Sequence, residues 1–123
     1  MSKGQIPGTV MEEALAPAQQ VTVGITAHAG GGQALAVPLT TAINRVAVCA
    51  TIGDSVVLPS TAGNIGVVVT VINAGAQSLN VFPAGSVDQI DALGAATARA
   101  VAAGKTCEFI YVAAGQIHAL LSA

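Results

Sequence analysis

The chain has 123 residues, 53% of them hydrophobic and only 8% charged, with a formal net charge of -2 at pH 7. One domain is the natural count at this length. Its four Lys and Arg residues form no basic stripe that could neutralise phosphates, which argues against a nucleic-acid partner, and its longest apolar runs, such as residues 46–50, are too short to cross a bilayer.

Residues 1–20 differ from the rest. They hold Gly4, Pro7, Gly8 and Pro17 and show no sustained period, so they read as an extended N-terminal arm with at most one helical turn around residues 11–15. Glu12 and Glu13 interrupt any continuous apolar segment there, so synthesis in the cytoplasm without export by a signal peptide is expected. The remainder, residues 21–123, reads as one β-sandwich domain.

Val21, Val23 and Ile25 alternate with Thr22, Gly24 and Thr26, the period of a half-buried strand. Gly30-Gly31-Gly32 supplies a flexible joint, with no Lys-Ser/Thr after it to suggest a phosphate loop. Residues 35–43 are ambiguous: Thr40 or Thr41 could cap a short helical turn, with Leu39, Ile43 and Val46 at helical spacing. From Asn44 the pattern turns to strand, and residues 52–54 form a turn.

Residues 55–82 read as consecutive antiparallel strands, rich in Val, Ile and Thr and punctuated by Gly, Pro and Asn. In the strand expected over 65–73, Ile65, Val67, Val69 and Val71 share one face, and Gly66, Val68, Thr70 and Ile72 the other. Both faces are largely apolar, which calls for a second sheet on one side and another cover on the other. Asn73-Ala74-Gly75-Ala76 turns the chain into a third run ending at Phe82.

A loop follows at 84–86, then a short strand or bend over 87–90. The Ala-rich stretch 92–103 contains Gly94, so a loop followed by a strand over 97–101 fits it better than a helix. Residues 103–105 make a tight turn into a strand over 106–112, with Cys107, Phe109 and Tyr111 on one face and Glu108, Ile110 and Val112 on the other. A last turn at 113–115 leads into 116–121. About eight or nine short strands with frequent turns describe an all-β sandwich of jelly-roll or tulip type. No repeat of fixed period is evident.

Catalytic chemistry is poorly supplied. His28 and His118 have no recognisable partner group, and no serine sits in a G-x-S-x-G context. Cys49 and Cys107 lie in apolar strand-like runs, where a free cysteine behaves as a small hydrophobe. Two Cys and two His at isolated positions do not make a metal site, and Asp88 with Asp91 lacks the further acidic ligands a Ca²⁺ site needs. No catalytic residue, cofactor or metal is therefore expected. The scarcity of charge points instead to a surface buried in a permanent assembly, because obligate interfaces resemble a domain core cut in half. The residues expected to make subunit or partner contacts are Ile6, Val10, Met11 and Leu15 on the arm, and Arg45 and Arg99, isolated cations with Glu108 and Asp54 as available partners.

Three segments carry a family resemblance: GQALAVPLTTAINRVAVCATIGDSVVLP, VVVTVINAGAQSLNVFPAGSVDQIDALG and AVAAGKTCEFIYVAAGQIHAL. Thr40, Ile43, Asn44, Gly53, Asp54, Val56, Leu58, Pro59, Asn73, Gly75, Ala76, Pro83, Gly104, Lys105 and Phe109 follow the order of a pattern that resembles small β-sandwich structural proteins of tailed bacteriophages. The chain departs from that pattern at its end, where GQIHALLSA replaces an aromatic-rich strand. The resemblance implies a non-enzymatic virion protein on the capsid surface: a decoration, or cement, protein forming homotrimers and binding the major capsid protein. A tail or head-fibre module for host attachment is the alternative. A lectin-like domain is a third reading, ill served by one Tyr, two Phe and no Trp.

Overall fold

The computed structural model describes residues 19–30 and 32–123. Residues 1–18 of the expected arm, with Ile6, Val10, Met11 and Leu15, lie outside the described residues. Among these residues the protein is all-β. Its strands are β1 (Val21–Thr26), β2 (Val37–Pro38), β3 (Ile43–Val48), β4 (Ser55–Val57), β5 (Val68–Asn73), β6 (Leu79–Phe82), β7 (Gln89–Ile90), β8 (Arg99–Val101), β9 (Thr106–Ala113) and β10 (Gln116–Leu121). A 3-10 turn at Gln33–Leu35 is the helical element among them, and no helix there is long and apolar enough to cross a membrane.

The strands form a six-stranded sheet, ordered β1-β3-β5-β9-β10-β7, and a four-stranded sheet, ordered β2-β4-β6-β8. As far as β6 the chain alternates between the two, and each strand pairs in parallel with the one two places before it. The expected antiparallel succession over 55–82 is therefore corrected: β4 and β6 are parallel neighbours in one sheet, while β5 lies in the other. This winding is solenoid-like stacking, not the antiparallel connectivity of a jelly roll. Antiparallel pairing begins only with β8 on β6, β9 on β5 and β10 on β9.

The turns explain the difference. A hairpin reverses the chain within a sheet, whereas the corner after β5 sends it across to the other sheet. Buried Asn73 holds that corner, its Nδ2 donating to the carbonyls of Gln77 (2.8 Å) and Val101 (2.9 Å) and its Oδ1 accepting from Gly75 N (3.0 Å). Gly75 passes so close to its neighbour that a Cβ there would collide with the Cys49 backbone nitrogen. The helical turn weighed near residue 40 does not form. Instead the Thr41 hydroxyl donates to Asn44 Oδ1 (3.0 Å) and Asn44 Nδ2 to the Thr41 carbonyl (2.9 Å), a bend that leads straight into β3. Gly24, at φ 75°, lies where the β1–β3 register shifts, as a bulge requires.

Both sheets contribute to one core. Val46, Val71, Phe109 and Ile117 from the larger sheet meet Val56, Leu79, Val81 and Val101 from the smaller, all fully buried. Cys107, Phe109 and Tyr111 share the inward face of β9 as the alternation indicates. The Tyr111 hydroxyl donates to the Pro59 carbonyl at 2.6 Å, which satisfies its one polar atom inside an apolar core. The strand expected over 65–73 begins only at Val68; Ile65 and Val67 lie exposed in the preceding turn.

Candidate functional site

The residues with reactive side chains are mostly held in structural roles. Cys49 and Cys107 are free thiols, both buried. Asp88, also buried, accepts from Thr61 N and from Thr61 Oγ1, each at 2.9 Å, while Thr61 Oγ1 accepts from Gly115 N at 2.9 Å. Asp91 accepts from Ala119 N (3.0 Å) and lies 3.4 Å from Arg99 Nη1 and 3.5 Å from His118 Nδ1. The two aspartates thus serve separate networks and do not converge on one cation position. Among the described residues no three of His, Cys, Asp and Glu come together as metal ligands.

Asp54 is not the arginine partner expected from the sequence. It is instead a buried acceptor for backbone amides: Oδ1 takes Gly30 N (3.2 Å), and Oδ2 takes Ala50 N and Thr51 N (3.1 Å each). The Gly30 amide is therefore tied to a carboxylate of its own chain and is not free for an external anion. His28 makes a two-way backbone bridge with Ser55, and its ring sits 3.3 Å from the Gly30 carbonyl. An open depression of about 500 Å³ includes Ser60, Thr61, Val87, Asp88 and Gln116 on its walls. Its polar groups are already bonded within the chain, since Gln116 Nε2 donates to the Asp91 carbonyl (2.9 Å) and Gln116 Oε1 accepts from Gln89 Nε2 (2.8 Å).

Burial sets the acidity of the buried thiol. Withdrawal from water raises Cys107 from its ordinary value of 9.0 to about 11, and Tyr111 is raised for the same reason. The fold therefore holds Cys107 as the neutral thiol. Its contribution is fully present below pH 9 and is lost as pH rises through about 11, because the unfolded chain releases that proton first. Urea unfolding between pH 8 and 11 is expected to show a decline in stability that is shallower in Cys107→Ala than in the natural chain.

One surface of different character remains, the outward face of the six-stranded sheet. Residues on alternate positions of β3, β5, β9 and β10 point there. In register, Ile43 pairs with Thr70, Thr70 with Glu108 and Glu108 with Leu120; Arg45 pairs with Ile72 and Ile72 with Thr106; Val68 pairs with Ile110 and Ile110 with His118. Leu120 is 61% exposed and Val112 47%, while Val21 on the edge strand, paired with Ile43, is 54% exposed. A depression of about 360 Å³ lies beside Thr106, Glu108, Leu120 and Ser122.

Of the expected contact residues, Arg45 stands exposed on this face, and Arg99 is engaged within the chain by Asp91. Glu108 is exposed, and neither it nor Arg45 has an opposite charge within 4.0 Å among the described residues. The alternation over 106–112 marked Glu108, Ile110 and Val112 as one face. What it lacked was the antiparallel neighbours of β9, β5 and β10, and β3 beyond β5, which extend that face into a surface. Comparison with protein-family models, curated proteins and solved structures finds no match to the chain.

Proposed function

We propose that the chain is a non-enzymatic structural protein of a tailed bacteriophage: a capsid decoration protein that forms homotrimers on the head and strengthens contacts between major capsid subunits. The observation that carries the reading is the largely apolar outward face of the six-stranded sheet, on a chain with only 8% charged residues. A contiguous exposed apolar surface on a small domain marks an interaction site. The resemblance of the sequence pattern to small phage structural proteins suggests the virion context, and several residues of that pattern, Asn44, Asp54 and Asn73, hold turns of this fold.

Within this reading residues 1–18 supply attachment to the capsid through Ile6, Val10, Met11 and Leu15, whose spacing suits an extended segment lying in a groove or added to a sheet edge. Removing them is expected to leave the thermal melting of the domain and its oligomeric mass unchanged. Co-sedimentation with undecorated heads should weaken about a hundredfold, the scale of losing a few buried apolar side chains. Full-strength binding after truncation would place attachment on the sheets. Immunogold labelling of intact particles on the tail rather than the head shell would replace the decoration role with the tail or head-fibre module.

A further inference from the structure

From the outward face of the six-stranded sheet, we infer that copies of this chain join through that face, with Arg45 on β3 of one copy paired to Glu108 on β9 of the next. The inference rests on the homo-oligomeric part of the proposed function and is independent of any role on a capsid.

The argument starts from register. β3 and β9 are the two neighbours of β5 in the sheet. Neighbouring strands lie about 4.8 Å apart, so the backbones of Arg45 and Glu108 are separated by roughly 10 Å across the sheet, with a further offset of about 7 Å along it. That offset follows from pairing, because Arg45 stands opposite Ile72 whereas Glu108 stands opposite Thr70. Arg45 stands beside Ile43 and Ile72, Glu108 beside Thr70, Thr106, Ile110 and Leu120, and neither has an opposite charge within 4.0 Å among the described residues.

A rotation axis running parallel to β5, above its outward face, carries the β3 side of one copy onto the β9 side of the next. That rotation keeps the offset of about 7 Å along the strands, which the long Arg45 and Glu108 side chains span to meet, and by the same operation Glu108 reaches Arg45 of the next copy around the axis. The relation holds for a ring of three as well as for a pair. Val68, Thr70 and Ile72 of β5, which carry no charge, fall nearest the axis, where the apolar centre of an interface belongs. Equal and opposite charges flanking an apolar centre complement a second copy of the same face. A strongly acidic or basic partner would find on it one attractive and one repulsive group.

Charge reversal tests the pairing. Arg45→Glu, Glu108→Arg and the double variant are compared with the natural chain by light scattering at micromolar concentration in physiological salt. Circular dichroism checks that each remains folded, as expected for two exposed side chains. The natural chain is expected to be oligomeric and each single variant to shift towards monomer, its association weakened at least tenfold by like charges facing each other. The double variant, in which the signs are exchanged, should recover the natural mass. Single variants that keep that mass would overturn the inference while leaving the homo-oligomer standing. A double variant as dissociated as the singles would overturn the pairing. A monomeric natural chain would overturn the homo-oligomeric reading itself.

Discussion

Asn73→Ala is expected to lower the free energy of unfolding by about 3 kcal/mol, read from urea denaturation. The side chain is fully buried and makes three hydrogen bonds, to the carbonyls of Gln77 and Val101 and from Gly75 N. Alanine leaves those backbone groups unsatisfied, and each such buried group costs about 1–3 kcal/mol, less where water reaches it. The corner also ties the two sheets together, since Asn73 ends β5 in one sheet and Val101 ends β8 in the other. Asn73→Asp separates the donors from the acceptor. It keeps an oxygen for Gly75 N but turns a carboxylate towards two carbonyl oxygens, so it should be no more stable than the alanine variant.

Asp54→Ala should cost nearly as much, about 3 kcal/mol, because hydrogen bonds to a charged acceptor are worth about 1.5–3 kcal/mol each and water can replace part of what is lost at the exposed Ala50 and Thr51. The carboxylate joins the loop after β1 to the turn before β4, two segments also linked by the His28–Ser55 bridge and by the Ser55 hydroxyl donating to the Gly30 carbonyl. Asp54→Asn is the informative companion. It retains an oxygen for Ala50 and Thr51 but presents an amide to Gly30 N, so the loss should be smaller and should fall on the loop after β1. Hydrogen exchange resolved by residue would then speed up at Gly30 while Ala50 and Thr51 stay protected; acceleration at all three amides would contradict this division of labour.

These two residues show how far the sequence could be read. Period-two alternation disclosed β9 and its faces, and the small-residue turns located most strand ends. Alternation says which side a residue faces, yet it is the same for a strand running either way, so the parallel winding of β1 to β6 was hidden. The coils also differ in length, with β1, β3 and β5 starting at Val21, Ile43 and Val68, so no fixed repeat betrayed them. Gly75 was legible as a turn residue, but the cause of its smallness is the Cys49 backbone, distant in sequence. Arg99 illustrates the same limit in charge pairing. Its carboxylate is Asp91, brought near by the bend after β7, whereas Glu108 and Asp54 were the partners suggested by their setting in the sequence. Asp54, an expected partner for an arginine, instead takes three backbone amides that only the folded chain brings to it.

The order of strands in the larger sheet also shapes how the molecule must come together. β5 receives β3 on one side as the coils stack, but its other edge waits for β9, which begins at Thr106. Until that partner arrives, Val68–Asn73 presents a row of unpaired backbone groups beside an incomplete core, the kind of edge that recruits strands from other chains. Such long-range closure is slow, on the order of milliseconds to seconds for β-rich domains. Crowded refolding therefore sets two events in competition: capture of β5 by its own C-terminal hairpin, or by the hairpin of a neighbour, which would yield exchanged dimers instead of the native fold.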